Sequence, residues 1–149
     1  MNFLLDTNVL SELRKKDCRT SVRNFVDSLE QTSLFISVIS IGEIAFGVEK
    51  LPPGRRKNEF RYFIDTQIPD WFEDRIIPLD CKIMRAWGRL CAEDDAGGRR
   101  RTLPTFDSLI AASALVHGLA LLTRNVKDFA GLEGLFLVDP WEEEPPLDL

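Results

Sequence analysis

Short runs of apolar residues alternate along the chain with longer segments in which apolar residues recur every three or four positions. The runs lie at residues 3–5, 34–36, 75–78, 119–123 and 135–138, and they predict five strands. Strands that are apolar on both faces are typical of parallel sheets covered by helices. The pattern therefore predicts an α/β fold in which a mostly parallel sheet of about five strands lies between helices.

The intervening segments predict helices at residues 9–13, 21–29, 40–50, 55–64, 81–96 and 105–117. Ser40 and Glu43 have the spacing of a capping box, which predicts that the third helix begins at Ser40. Asp80 is expected to cap the fifth helix, and the glycine pair at 97–98 to end it. Gly118 is expected to end the last helix as a C′ glycine.

The length and composition predict one globular domain. The chain has 149 residues, of which 44% are hydrophobic and 29% charged, and we expect a single domain over 1–149. No apolar run approaches the roughly 18–20 residues of a membrane-spanning helix, and no basic segment precedes the first run as in a signal peptide. We therefore expect a cytoplasmic protein with an acidic tail over about residues 142–149.

Charge is distributed unevenly. The net charge of −5 argues against a simple polycationic nucleic-acid binder. Basic residues nevertheless cluster at 14–16, 55–57 and 99–101, whereas acidic residues collect at 93–95 and in the tail. Most charge runs are only solvated faces, but three basic clusters in an acidic chain favour a polyanionic substrate.

Three carboxylates share one kind of position. Asp6 follows the first predicted strand, Glu43 belongs to the helix after the second strand, and Asp107 lies in the first turn of the helix at 105–117. Each could serve only as a cap or as a partner of a helix dipole. Because each also lies where a crossover enters a helix, we expect all three at one edge of a parallel sheet.

Carboxylates gathered in one cleft repel one another, so near neutral pH they need protons or a cation. Sites made of charged oxygen ligands suit hard ions such as Mg²⁺ or Mn²⁺. These ions bind phosphate oxygens and activate water for phosphodiester cleavage. The three acids therefore favour a metal-dependent nuclease.

Other chemistries lack the residues that they need. His117 is the only histidine and stands beside Gly118 at a helix end, which favours a capping role and excludes a ribonuclease built on two histidines. The three cysteines include no C-x-x-C pair and indicate no zinc site. Cys81 and Cys91 are about 15 Å apart along one predicted helix, too far for a disulfide. The glycines form no phosphate-binding loop.

Four segments, at residues 4–9, 37–43, 106–112 and 122–129, together resemble PIN domains, and among these the VapC toxins of bacterial toxin–antitoxin pairs, including the FitB-like branch. The resemblance continues to the Asp-Pro-Trp at 139–141. It implies a three-layer α/β/α sandwich and a Mg²⁺- or Mn²⁺-dependent endoribonuclease that cuts RNA and stops translation. It assigns Asp6, Glu43 and Asp107 as the catalytic and metal-binding acids. It also implies a homodimer and a VapB-like antitoxin, through which a larger assembly could form on DNA.

One position departs from the family pattern. Many PIN domains carry a fourth acid where this chain has Asn125, which can ligate through its carbonyl oxygen but brings no charge. A second metal should then bind more weakly, which favours a one-metal mechanism. Asp128 could substitute, although we expect it to stabilise the loop instead. Arg124 is a candidate RNA contact. The candidates that orient the acids are Thr7, Asn8 and Ser37.

Three other functions remain open at this point. A catalytically weak module that binds RNA or an antitoxin would account for Asn125. An aspartyl phosphatase would use Asp6 as its nucleophile but would need an acid at Asn8. A phospho-receiver domain would need a lysine after a late strand, where the chain has Arg124.

Overall fold

The computed structural model describes residues 1–96 and 103–142, which form a five-stranded sheet flanked by helices. The strands are β1 (Phe3–Leu5), β2 (Leu34–Ser37), β3 (Ile76–Ile77), β4 (Ala120–Leu122) and β5 (Leu137–Val138). Their order across the sheet is β3-β2-β1-β4-β5, and every neighbouring pair is parallel. The predicted sheet is confirmed.

β1 lies at the centre of the sheet, where Leu4 pairs with Phe35 of β2 and with Leu121 of β4. The chain winds outward from β1 to β3 on one side and from β4 to β5 on the other. The winding therefore reverses between β1 and β4. Ligands of parallel α/β sheets bind outside the carboxyl ends of the strands at such a reversal. The residues that follow β1 and β4 are thus the first place to look for a site.

The helices cover both faces of the sheet. In the described part of the chain they are α1 (Thr7–Arg14), α2 (Thr20–Asp27), α3 (Val38–Glu49), α4 (Arg55–Tyr62), α5 (Ile68–Phe72), α6 (Cys81–Ala96), α7 (Thr105–His117) and α8 (Val126–Phe129). A 3₁₀ turn spans Gln31–Ser33, and a π-helical turn spans Phe63–Gln67. None of these described helices is long and apolar enough to cross a membrane.

Alternate residues of the central strand face two separate cores. Phe3 and Leu5 pack with α1, α2, α3 and α5, whereas Leu4 packs with α6, α7 and α8. This follows from the two-residue period of a strand, whose successive side chains point to opposite faces. The two cores make the molecule the three-layer α/β/α sandwich that the resemblance implied.

The predicted start of α3 is wrong. The helix begins at Val38, and its N-cap is Ser37, whose Oγ accepts a hydrogen bond of 3.0 Å from the backbone N–H of Ile39. Ser40 is instead buried inside the helix, and Glu43 lies in its second turn rather than its first. Both serines follow β2 closely, and Ser37 caps first because the strand ends there. Glu43 therefore does not cap α3.

The helix predicted at 55–64 does not end there. After α4 the chain passes through the π-helical turn and continues into α5 as far as Phe72. Phe63 is fully buried, and its ring meets Trp71 edge-on with 5.7 Å between centroids. The first turn of α5 accepts Pro69 because no intrahelical N–H bond is needed there.

The caps predicted for α6 and α7 are confirmed, whereas α1 and α2 differ by one or two residues from the helices predicted at 9–13 and 21–29. The backbone N–H of Ile83 donates to Asp80 Oδ1 at 2.9 Å, which makes Asp80 the cap of α6. Gly118 adopts a left-handed φ of 63° directly after α7. The predicted end of α6 at 97–98, the basic cluster at 99–101 and the tail beyond Glu142 lie outside the described residues.

Candidate functional site

Asp6 lies at the carboxyl end of β1 and is only 3% exposed. Its Oδ1 accepts a hydrogen bond of 2.8 Å from the backbone N–H of Thr7, and its Oδ2 accepts from Thr123 Oγ1 at 2.8 Å and from Asn8 Nδ2 at 3.3 Å. Burial raises the pKa of the Asp6 carboxyl, and these three donors lower it again in part. A carboxylate offers about four acceptor positions, so one remains on Oδ1.

Thr123 joins the ends of β1 and β4. Its fully buried hydroxyl donates to Asp6, accepts the backbone N–H of Asn125 at 3.0 Å and lies 3.4 Å from Asn8 Nδ2. The Asn8 side chain also accepts the backbone N–H of Arg124 at 3.2 Å. Asn8 and Thr123 therefore fix the Asp6 carboxylate at the winding reversal. Sequence reasoning identified Asn8 as a positioning candidate but missed Thr123, whose only signal was its position directly after a strand.

Thr7 connects Asp6 with α3. Its hydroxyl donates to Glu43 Oε1 at 2.7 Å and lies 2.8 Å from the Oγ of buried Ser40. Because Glu43 lies one turn inside α3, its side chain reaches across to the start of α1. The candidate role of Thr7 in orienting an acid is supported by this contact. Ser37 has a different role as the cap of α3.

Asp107 lies in the first turn of α7, in the layer opposite Glu43. The pKa of its half-buried carboxyl is raised from 3.8 to about 6, first by burial and then by the negative charges of Asp6, Glu43 and Asp128. Such like-charge coupling operates over short distances. The fold thus brings together the three acids singled out from the sequence and adds a fourth, Asp128 of α8. Asp128 is exposed, and its charge reaches Asp107; its expected role in stabilising the loop stays a prediction.

Asn125 and Arg124 follow β4 at the edge of this cluster. Asn125 is exposed, and its backbone carbonyl accepts the N–H of Asp128, which places that acid on the first turn of α8. The Arg124 guanidinium lies over the Trp141 ring, 5.1 Å from its centroid. Arg124 is therefore an exposed cation that Trp141 orients, and its backbone is tied to Asn8 next to Asp6.

The donor set of the cluster fits a hard divalent cation. A half-buried carboxylate such as that of Asp107, whose pKa is raised by burial and then by neighbouring acids, is stabilised by a nearby positive charge. Asp6 keeps one acceptor position open. Within residues 1–96 and 103–142, no three Asp, Glu, His or Cys side chains stand in an arrangement that could together hold a metal ion. A Mg²⁺ ion at this place would therefore take only one or two of these carboxylates, with water and phosphate oxygens completing its shell.

Comparison with known proteins gives one consistent result. Residues 3–134 match the PIN domain family. The chain is 31% identical over 140 residues to "VapC ribonuclease Y4jK" of Sinorhizobium fredii, with 94% of this chain and 98% of that protein aligned. It is 29% identical to "Toxin FitB" of Neisseria gonorrhoeae over 95% of this chain and 99% of that protein.

Solved structures agree with the sequence relatives. The crystal structure of FitAcB from Neisseria gonorrhoeae superposes with a TM-score of 0.86 at 28% identity, covering 95% of this chain and 99% of that one. The likeness therefore extends over the whole sandwich rather than over one motif. The chain belongs to the PIN domain family, in the branch that contains VapC and FitB.

Proposed function

We propose that the protein is a divalent-metal-dependent endoribonuclease that cleaves RNA phosphodiester bonds and acts as the toxin of a toxin–antitoxin pair. The observation that carries the proposal is the convergence of Asp6, Glu43, Asp107 and Asp128 at the winding reversal of the sheet. There burial, and then the charges of the other three acids, raise the pKa of Asp107 to about 6. Relatives named VapC ribonuclease, and a "tRNA(fMet)-specific endonuclease VapC" of Shigella flexneri that is 30% identical, support the substrate class.

Each acid has a role that follows from its surroundings. Asp6 and Asp107 are the proposed metal ligands, because Asp6 has an open acceptor position and Asp107 bears the strongest repulsion from its neighbours. Glu43, held by Thr7, positions the attacking water or a second ion. When bound, Mg²⁺ or Mn²⁺ supplies the Lewis acid that neutralises the phosphate and lowers the pKa of the attacking water.

Two groups could complete the site. Asn125 remains a candidate fourth ligand through its amide oxygen, although Asp128 already brings a charge to the same cluster. Arg124, held over Trp141, would contact a phosphate of the RNA backbone. This contact would position the RNA without reading its sequence.

The partners follow from the family relationship. Related structures include FitAB bound to an IR36 DNA fragment, at 28% identity, and VapBC2 from Rickettsia felis bound to a fragment of its promoter, at 27% identity. We propose that this protein likewise forms a homodimer, is inhibited by a VapB-like antitoxin and joins a complex on DNA through that antitoxin. Inhibition of translation would place its action in the cytoplasm.

A catalytically weak RNA- or antitoxin-binding module is the second candidate, and Asn125 in place of an acid favours it. The charge of Asp128 beside Asp107 counts against it, because the cluster still contains four carboxylates. The phosphatase alternative lacks support, since Asn8 donates its amide to Asp6 and offers no acid.

RNA cleavage in the presence of Mn²⁺ or of a chelator tests the proposal. Purified protein is incubated with mixed tRNA and rRNA, beside Asp6→Asn and the exposed control Asp17→Asn. We expect cleavage by the wild type and the control only with the metal, and loss of at least about a thousandfold in Asp6→Asn. Cleavage by Asp6→Asn at the wild-type rate, or cleavage unaffected by the chelator, would refute the assignment.

A further inference from the structure

Two basic clusters that are far apart in the sequence meet on one face of the molecule. The end of α1 carries the cluster at 14–16, and the start of α4 carries the cluster at 55–57. Between them lies an open groove of about 1000 Å³, which we call the α1–α4 groove. The residues that line it are Arg14, Lys16, Gly54, Arg55, Asn58, Glu59, Tyr62 and Gln67. Three cations thus face one carboxylate in a protein whose net charge is −5.

Arg14 is held in this groove with one buried donor unpaired. Its guanidinium lies 3.8 Å from the centroid of the Phe60 ring, and its buried Nε has no hydrogen-bond partner in the described part of the chain. Arg56 approaches the same ring at 5.9 Å. Burial and then the charge of Arg56 lower the pKa of Arg14, whereas the charge of Glu59 raises it in part. A partly desolvated cation next to another cation is unfavourable, and a bound anion would add to the partial compensation that Glu59 gives.

The groove also exposes an aromatic ring. Tyr62 is 58% exposed although it lines the groove. Its neighbour Glu59 is engaged by Arg55 in an exposed ion pair of 3.1 Å, which is a weak interaction that a phosphate could displace. Cations that follow a backbone, beside a ring on which a base can stack, are the combination that binds single-stranded nucleic acid.

We propose that the α1–α4 groove binds the backbone of single-stranded RNA at a distance from the scissile bond. The inference rests on the proposed function and extends it, because α1 begins beside Asp6 and ends at Arg14. Eight helical residues span about 12 Å, so one RNA chain can contact both places. Arg14 and Lys16 contact phosphates, Arg55 exchanges Glu59 for a phosphate, and Tyr62 stacks on a base.

The experiment measures RNA binding separately from cleavage. A fluorescently labelled single-stranded RNA is titrated with Asp6→Asn protein in chelator, at several salt concentrations, and its anisotropy gives Kd. Lys16→Ala with Arg55→Ala should raise Kd about tenfold and reduce the slope of log Kd against log salt by about 1.4, or about 0.7 for each lost phosphate contact. The matched control is Arg85→Ala with Arg89→Ala, which removes two exposed cations from α6 on the opposite layer.

Two further variants test the chemistry of the groove. Glu59→Gln removes its carboxylate and should tighten RNA binding about twofold to threefold. Tyr62→Leu should weaken the binding of RNA about fivefold or more but leave the binding of inorganic polyphosphate, which has no bases, unchanged. Thermal unfolding of each variant shows whether its fold is retained.

The proposal is overturned if the groove pair (Lys16→Ala with Arg55→Ala) and the α6 pair (Arg85→Ala with Arg89→Ala) change Kd and the salt slope equally. It is also overturned if the groove pair leaves RNA binding intact while weakening the binding of oligoglutamate, since the groove would then suit an acidic polypeptide. Failure of the proposed function is a separate result, because it is seen as absence of metal-dependent cleavage by the wild type whatever the groove binds.

Discussion

Replacement of Asp107 by Asn should make the metal-free protein more stable near neutral pH. The fold raises the pKa of Asp107 from 3.8 to about 6, so the ionised carboxylate opposes folding. A shift of this size corresponds to at most about 3 kcal/mol, at about 1.4 kcal/mol for each pKa unit. Because the side chain is only half-buried, solvent screening reduces this penalty. Loss of a favourable interaction with the α7 dipole reduces the gain further, to about 1 kcal/mol.

The sign of the pH dependence follows from linkage. Below about pH 4 the carboxyl is largely neutral in the folded and unfolded states, so it contributes almost nothing to their difference. Between about pH 4 and pH 6 the unfolded chain releases its proton first, and wild-type stability therefore falls as the pH rises. Above pH 6 the full penalty is present. Asp107→Asn escapes this penalty, because an amide does not ionise.

Urea unfolding in chelator, followed by circular dichroism, measures the effect. We expect Asp107→Asn to exceed the wild type by about 1 kcal/mol near pH 7.5, or about 3 °C in Tm, and to match it near pH 4. Asp17→Asn, which removes one exposed charge, should show neither difference. The reasoning is wrong if Asp107→Asn is the less stable protein near pH 7.5, or if its advantage is the same at both pH values.

Three other predictions concern the same site. Thr123→Val should slow RNA cleavage by at least about tenfold and lower the free energy of unfolding in urea by about 1–3 kcal/mol, because it leaves buried hydrogen-bonding groups unpaired. Thr123→Ser keeps the hydroxyl and should retain most of the activity. Trp141→Leu should raise KM for RNA severalfold with kcat nearly unchanged, as should Arg124→Ala; a fall in kcat alone would contradict a role in positioning the substrate. The affinity for Mn²⁺, measured by titration, should fall steeply below about pH 6, because Asp107 must lose its proton for the metal to bind.

The sheet was predictable because each strand is a short apolar run. Between predicted helices, a run of this length is most simply explained as a strand buried on both faces. The helix ends were harder to predict. Ser37 and Ser40 are both good N-caps, and the sequence alone does not show at which residue β2 ends. The π-helical turn at Phe63–Gln67 coincides with packing of Phe63 against Trp71, a contact that periodicity does not reveal.

The acids at strand and helix ends were predictable for a similar reason, since the topology of a parallel sheet brings these ends to one edge. Asp128 was underestimated because it lies on a helix of four residues, too short for a clear pattern. The hydroxyl of Thr123 and the meeting of Arg14 with the cluster at 55–57 depend on how distant segments pack. No local spacing encodes these contacts.

Direct measurement of Mn²⁺ uptake by calorimetry near pH 7.5, on the wild type and on Asp6→Asn, tests the central claim. That claim is that folding gathers the acids at the winding reversal into a site for a divalent ion. We expect the wild type to bind Mn²⁺, and the binding to be lost in Asp6→Asn. Absence of uptake by the wild type, or equal uptake by the two proteins, would contradict the account.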